Sequence, residues 1–185
     1  MGANTSNALF YLLSTLFEVY LWIVMLRMIL QVVRADFYNP ISQLVWQVTQ
    51  PIVLPLQRVF PKWRQYDTAA AVVLVTIAVV YVFVATAVLG YSVSVAGAIW
   101  YAVLKLIVLL LNLYTFALVI QAILSWVGPG VNNPAGSILW SINEPLLRPV
   151  RRVIPPFSGL DLSPLVVIVV LQFLKLLIPL PGILR

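Results

Sequence analysis

Four apolar stretches constrain this chain most: Ala8 to Val33, Ala69 to Tyr91, Ala98 to Val127, and Pro164 to Leu180. A hydrocarbon core of about 30 Å takes roughly 20 helical residues at about 1.5 Å each, so every stretch is a candidate span. Lipid offers no partner to backbone N–H and C=O groups, which forces such segments to be helices. The second is uncharged and rich in Ala and Val, the third is long enough to tilt or protrude, and the fourth is short and ends at Pro179 and Pro181. The expected fold is an all-α membrane protein of four transmembrane helices. The first stretch follows a segment without Lys or Arg and exceeds the apolar length of a signal peptide, so it is expected to be retained as a span.

Composition removes whole classes of chemistry. Hydrophobic residues make up 63% of the chain and charged ones 9%, against about 45–50% and 25% in soluble domains. With no Cys and no His, the chain lacks the atoms for disulfides, thiolate or imidazole catalysis, zinc centres and ordinary haem ligation. No cofactor or metal is expected. The net charge of +6 is spread over eleven basic residues without a run that would track a phosphate backbone, so nucleic acid is not an expected partner.

Sliding the chain on itself by 94 residues shows a direct repeat. Asn39-Pro40 meets Asn133-Pro134, Trp46 meets Trp140, Pro51 meets Pro145, and Pro55 meets Pro149. Arg58 then meets Arg152, Pro61 meets Pro155, and Asp67 meets Asp161. The chain therefore divides into residues 1–91 and 92–185, each a span, an amphipathic loop and a span. A unit with an even number of crossings repeats in the same orientation, which places both loops on one side. Seven of the eleven basic residues, Arg34, Arg58, Lys62, Arg64, Arg148, Arg151 and Arg152, are in those loops. The positive-inside rule then predicts cytoplasmic loops and extracytoplasmic termini.

In the first loop, Asn39 can cap a helix that has Pro40 at its first position, and Ile41, Leu44, Val45 and Val48 share a face. Pro51 is predicted to restart the chain. In the second, Leu146, Val150 and Val153 form an apolar stripe opposite Arg148, Arg151 and Arg152, the pattern of a helix in the headgroup plane anchored by Trp46 and Trp140. Arg58, Arg148, Arg151 and Arg152 are the expected contacts to anionic lipid, each cation contributing about 1 kcal/mol. Asp67 and Asp161 precede the second and fourth spans, where a carboxylate suits a helix N-terminus and could also pair with Arg58 or Arg152.

Three ionisable groups fall at membrane depth: Glu18, Arg27 and Lys175. Counted from the loop ends at about 1.5 Å per residue, Arg27 is about 9 Å deep, Lys175 about 16 Å and Glu18 about 22 Å, while Lys105 comes near the far interface. Depth thus matches Glu18 to Lys175, with snorkelling as the plain expectation for Arg27.

The segment Phe37-Tyr38-Asn39-Pro40, the Pro51, Pro55 and Arg58-Val59-Phe60-Pro61 elements, and the second copy from Glu144-Pro145 to Ile154-Pro155 resemble the YggT family of small bacterial and plastid membrane proteins. The resemblance implies two tandem family repeats in a bacterial inner membrane and a link to osmotic-stress tolerance, potassium-transport phenotypes, cell division, or the organisation of membrane complexes. The first loop departs from the second in having Leu54 and Gln57 where the second has Arg148 and Arg151, so the second is expected to hold anionic lipid more strongly. The expected function is a non-enzymatic scaffold or assembly factor whose partners are lipids, other membrane proteins or a second copy of the chain. The rival is a small channel or transporter subunit. No nucleophile and base stand together, which leaves lipid enzymology a distant third.

Overall fold

Apolar runs without internal proline become the long helices of this chain, and capping residues fix where they begin. A computed structural model describes residues 3–64, 66–127, 133–154 and 161–184, which form six α-helices and no strand. The helices are α1 (Ala3–Val32), α2 (Pro40–Gln57), α3 (Thr68–Val88), α4 (Val95–Val127), α5 (Pro134–Val153) and α6 (Ser163–Leu177). A 3-10 turn, Gly182–Leu184, follows. Within them, Asn7–Val32, Thr68–Val88 and Val95–Leu124 are long and apolar enough to cross a membrane. α6 has 15 residues, about 22 Å of helix, and stops short of the predicted Leu180. Pro179 explains the stop: it pushes Ile178 out of helical space, to φ −77° and ψ 121°.

The caps expected at Asn39 and Asp67 form, and Asn133 matches the first of them in the second copy. Asn39 accepts from the Ile41 amide, Asn133 from the Ala135 amide, and Asp67 from the Ala70 amide. At the far end of α3, Tyr91 N–H bonds Thr86 C=O and Gly90 N–H bonds Ala87 C=O, with Gly90 at φ +78°. That is a Schellman cap with glycine in the left-handed position it favours. α1 ends in the same motif, Ala35 to Leu30 and Arg34 to Gln31, but the left-handed residue is Arg34 at φ +54°. A non-glycine residue costs about 1–2 kcal/mol there, more than the 0.3–1 kcal/mol or so that a cation gains at a helix C-terminus.

α3 packs between α1 and α4, and α4 also packs on α5 and α6. Buried Ala69, Ala70, Ala78 and Ala85 let α3 approach its neighbours closely, with Val73, Leu74 and Val82 filling the gaps. The main core joins α1, α3 and α4, whereas Leu118, Leu147, Val167 and Leu171 form a separate small cluster of α4, α5 and α6. The chain after α6 returns to the main core through Leu180 and Leu184.

The loop helices differ from expectation. Both run unbroken through their prolines, Pro51 and Pro55 in α2 and Pro145 and Pro149 in α5, so Pro51 does not restart the chain. Pairs spaced by four share one side of a helix, and all four are exposed. The bundle takes Ser42, Val45, Thr49 and Val53 from α2, and leaves Leu44 and Val48 exposed. From α5 it takes Ile138, Leu139, Ile142, Asn143 and Leu147, while Val153 of the predicted stripe is 80% exposed. α2 meets α5 at their N-termini, where the Asn39 side chain donates to Pro134 O at 2.8 Å and Ser137 Oγ at 3.0 Å. Both loop helices therefore lie at one end of the bundle.

Candidate functional site

Arg27, one turn and a half before the end of α1, does not snorkel. Its side chain is 3% exposed and joins three helices. Nη1 donates to Thr49 Oγ1 at 2.7 Å and to Gln50 Oε1 at 3.1 Å on α2, and Nη2 donates to Gln50 Oε1 at 3.1 Å and to Asp67 Oδ2 at 3.0 Å at the head of α3. Gln57 Nε2 gives Asp67 Oδ2 a second bond at 2.9 Å. The Arg27 Cζ lies 3.9 Å from the centroid of the Trp46 ring, which also receives Phe37 edge-on. Trp46 is thus half-buried in a stack, whereas Trp140 is 57% exposed. Removing one member of such a buried charge pair costs about 3–5 kcal/mol, because the other is left uncompensated.

The second repeat meets the same needs with different residues. Asn143 Nδ2 on α5 donates to Gln121 Oε1 on α4 at 2.6 Å, at the positions that correspond to Thr49 and Arg27. The cation comes instead from α5: Arg151 Nε donates to Asp161 Oδ2 and Nη1 to Glu144 Oε2, both at 2.8 Å. Asp67 and Asp161 therefore pair with Arg27 and Arg151, and the expected pairing with Arg58 or Arg152 is corrected; long-range packing brings α1 to Asp67, which sequence proximity did not reveal. Burial raises the Asp161 pKa, but the Ser163 amide and the Arg151 guanidinium outweigh it and hold the carboxyl below its usual range. Arg58, Arg148 and Arg152 stay exposed.

Glu18 pairs with Lys105, and the match to Lys175 is corrected. Lys105 is buried and lies 5.1 Å from the Tyr81 ring centroid. Counting depth from helix ends failed because it assumes level, upright helices. α4 spans 33 residues, about 50 Å, longer than the bilayer core is thick, so its end does not mark a depth. Lys175 is half-buried on α6, where Gln172 of the same helix donates to Thr115 Oγ1 at 3.2 Å.

Glu18 also lines an apolar cleft of about 660 Å³ between α1, α4 and α5, walled by Trp22, Leu26, Phe116, Ile120, Ile138 and Ile142. A second cavity, about 420 Å³, lies where α1 turns into α2. Among the quoted motif residues, Pro61 is exposed and its carbonyl accepts from Thr68 Oγ1 at 2.7 Å, while Pro155 lies outside the described residues.

The repeat now has a structural basis, and a family model described as CCB3/YggT matches it twice, over residues 6–88 and 100–181. The chain belongs to the CCB3/YggT family. A Pseudomonas aeruginosa protein is 40% identical over 96% of this chain and 90% of its own length. The YggT protein of Escherichia coli K12 is 38% identical over 92% of this chain and 88% of its own length. A plant relative, the chloroplastic YlmG homolog protein 2 of Arabidopsis thaliana, is 35% identical over 43% of this chain and 30% of its own. No solved structure matches the chain.

The sequence marked Arg27, Asp67, Asp161 and Glu18 as sites to watch but missed Thr49, Gln50, Gln57 and Lys105. The signal for the first three was the repeat itself, which sets Asn143, Glu144 and Arg151 opposite Thr49, Gln50 and Gln57.

Proposed function

We propose that this CCB3/YggT protein is a non-enzymatic scaffold of the bacterial inner membrane, helping envelope complexes assemble and withstand osmotic stress. Four helices cross the bilayer, α6 completing its crossing with the chain that follows it. The loop helices lie in the cytoplasmic headgroup layer with both termini outside. The prolines of α2 and α5 support that placement: each lacks an N–H, so the carbonyls of Gln47, Pro51, Ser141 and Pro145 lose their helical donor on an exposed side. Water and headgroups can serve these carbonyls, whereas hydrocarbon would charge several kcal/mol for each. Arg58, Arg148 and Arg152 add attraction to anionic lipid.

One observation carries the scaffold reading. Among the described residues each buried cation meets a carboxylate, Arg27 the buried Asp67 and Lys105 the partly exposed Glu18, between helices packed through Ala and Val. Such pairs hold helices in register. The rival reading, a small channel or transporter subunit acting on potassium or another ion, is favoured by one feature: the Glu18 side chain is 35% exposed where it borders the cleft.

Two measurements test these readings. Cross-linking in native membranes should capture defined envelope proteins, and purified protein in proteoliposomes should pass no more potassium than empty vesicles. A potassium flux abolished by Glu18→Gln would replace the scaffold with the channel. For orientation, the absence of natural cysteine makes any introduced one unique. Asn4→Cys and Ser94→Cys should react with an impermeant thiol reagent on intact cells and Gln65→Cys should not; the reverse pattern would invert the topology.

A further inference from the structure

The cavity at the corner of α1 and α2 has the chemistry of an anion site. Its wall carries three cations, Arg27, Arg34 and Lys62, with Gln31, Ser42 and the Trp46 ring, and no carboxylate. Two of its polar groups are buried and lack a partner: Nε of Arg27, whose residue is 3% exposed, and Oγ of Ser42, whose residue is 7% exposed. Asp67, Gln50 and Thr49 satisfy the Arg27 terminal nitrogens, and stacking on Trp46 satisfies its face, but neither gives Nε an acceptor. A buried guanidinium N–H without an acceptor is costly, and an oxyanion would relieve it. Ser42 is in the first turn of α2, where the helix dipole also favours negative charge. Lys62, 5.7 Å from the Trp46 centroid, closes the outer side.

Arg34 supplies an independent indication. It holds the left-handed position of the α1 cap, and in sequence the second copy has Gly128 at the corresponding place. The rest of the site is likewise confined to the first copy: Gln121, Ser125, Gly136 and Pro156 stand where Arg27, Gln31, Ser42 and Lys62 do.

We propose that this corner binds a phosphate group, either on an anionic phospholipid headgroup or free in solution. The site stands apart from the scaffold reading and does not depend on it. The full-length protein, purified in neutral detergent, can be melted against short-chain phosphatidylglycerol, short-chain phosphatidylcholine and inorganic phosphate. Phosphatidylglycerol should raise the melting temperature saturably and phosphatidylcholine should not. A matching shift with inorganic phosphate would identify the free ion as sufficient, and a shift with phosphatidylglycerol alone would assign the site to lipid.

Arg34→Gly should raise the half-saturating phosphatidylglycerol concentration about tenfold or more. Lys62→Met should act in the same direction. The change Gln172→Leu on α6, a residue outside the corner's wall, should leave that concentration within about twofold. Absence of a saturable shift with either phosphate probe, an equal shift with phosphatidylcholine, or parent-like affinity in Arg34→Gly would overturn the proposal, as would loss of affinity in Gln172→Leu.

Discussion

The two repeats solve one electrostatic problem in two ways. Each places an aspartate ahead of its last helix, Asp67 or Asp161, and each joins it through an arginine to position 50 or its counterpart 144. In the first copy the arginine comes from the long helix, and in the second from the loop helix. Placing the cation on α1 buries the pair at 3% and 0% exposure and ties α1, α2 and α3 together. Placing it on α5 leaves the pair at 35% and 37%, confined to α5 and the head of α6, while the neutral Gln121–Asn143 bond joins α4 to α5 at the matching positions. The same residue types thus make a structural rivet in one copy and a surface clasp in the other.

The sharpest way to break the comparison is to remove the rivet. Arg27→Gln should destabilise the protein by about 3–5 kcal/mol, since Asp67 is left buried without its cation. Adding Gln57→Arg, which copies the second repeat's arrangement, should recover a good part of that loss. A double-mutant cycle on thermal unfolding in detergent measures it. No recovery would mean that the backbone at Gln57 cannot deliver a cation to Asp67, and that the two clamps are not interchangeable.

The Glu18–Lys105 pair joins the repeats to each other, and its effect should rank next. Glu18→Gln leaves the buried Lys105 unpaired and should cost more than Lys105→Met, which leaves a carboxylate that the cleft can hydrate. The double change should be less destabilised than Glu18→Gln alone, whereas Glu18→Gln with Lys175→Met should show no such rescue. Melting temperatures of the five proteins, parent included, decide it.

In the clasp, Asp161→Asn should cost about 1 kcal/mol or less, because exposed pairs are worth little. The smallest effect is its pH dependence. The folded-state pKa of Asp161 is depressed, so its contribution is present above the usual carboxylate pKa and is lost as pH falls through the lower folded value. The difference in melting temperature between the parent and Asp161→Asn should therefore shrink at strongly acidic pH and be constant near neutrality. A difference that grows on acidification would remove Arg151 as the cause.

Local chemistry wrote much of this fold into the sequence. The apolar stretches, the doubling at an offset of 94 residues, and the capping of α2, α3 and α5 by Asn39, Asp67 and Asn133 follow from solvation and hydrogen bonding within a few residues, so they could be read directly. So could the difference between the copies at positions 27, 57, 121 and 151.

Only the tertiary structure decided which charge meets which. Arg27 reaches Asp67 across 40 residues of chain and Lys105 reaches Glu18 across 87, and neither pairing is encoded in helix length. Packing also decided that the loop prolines stay within continuous helices and that Arg34 borders a cavity with Arg27 and Lys62. A sequence fixes the energy of leaving a charge unpaired in the membrane, but the partner depends on where other helices come to rest.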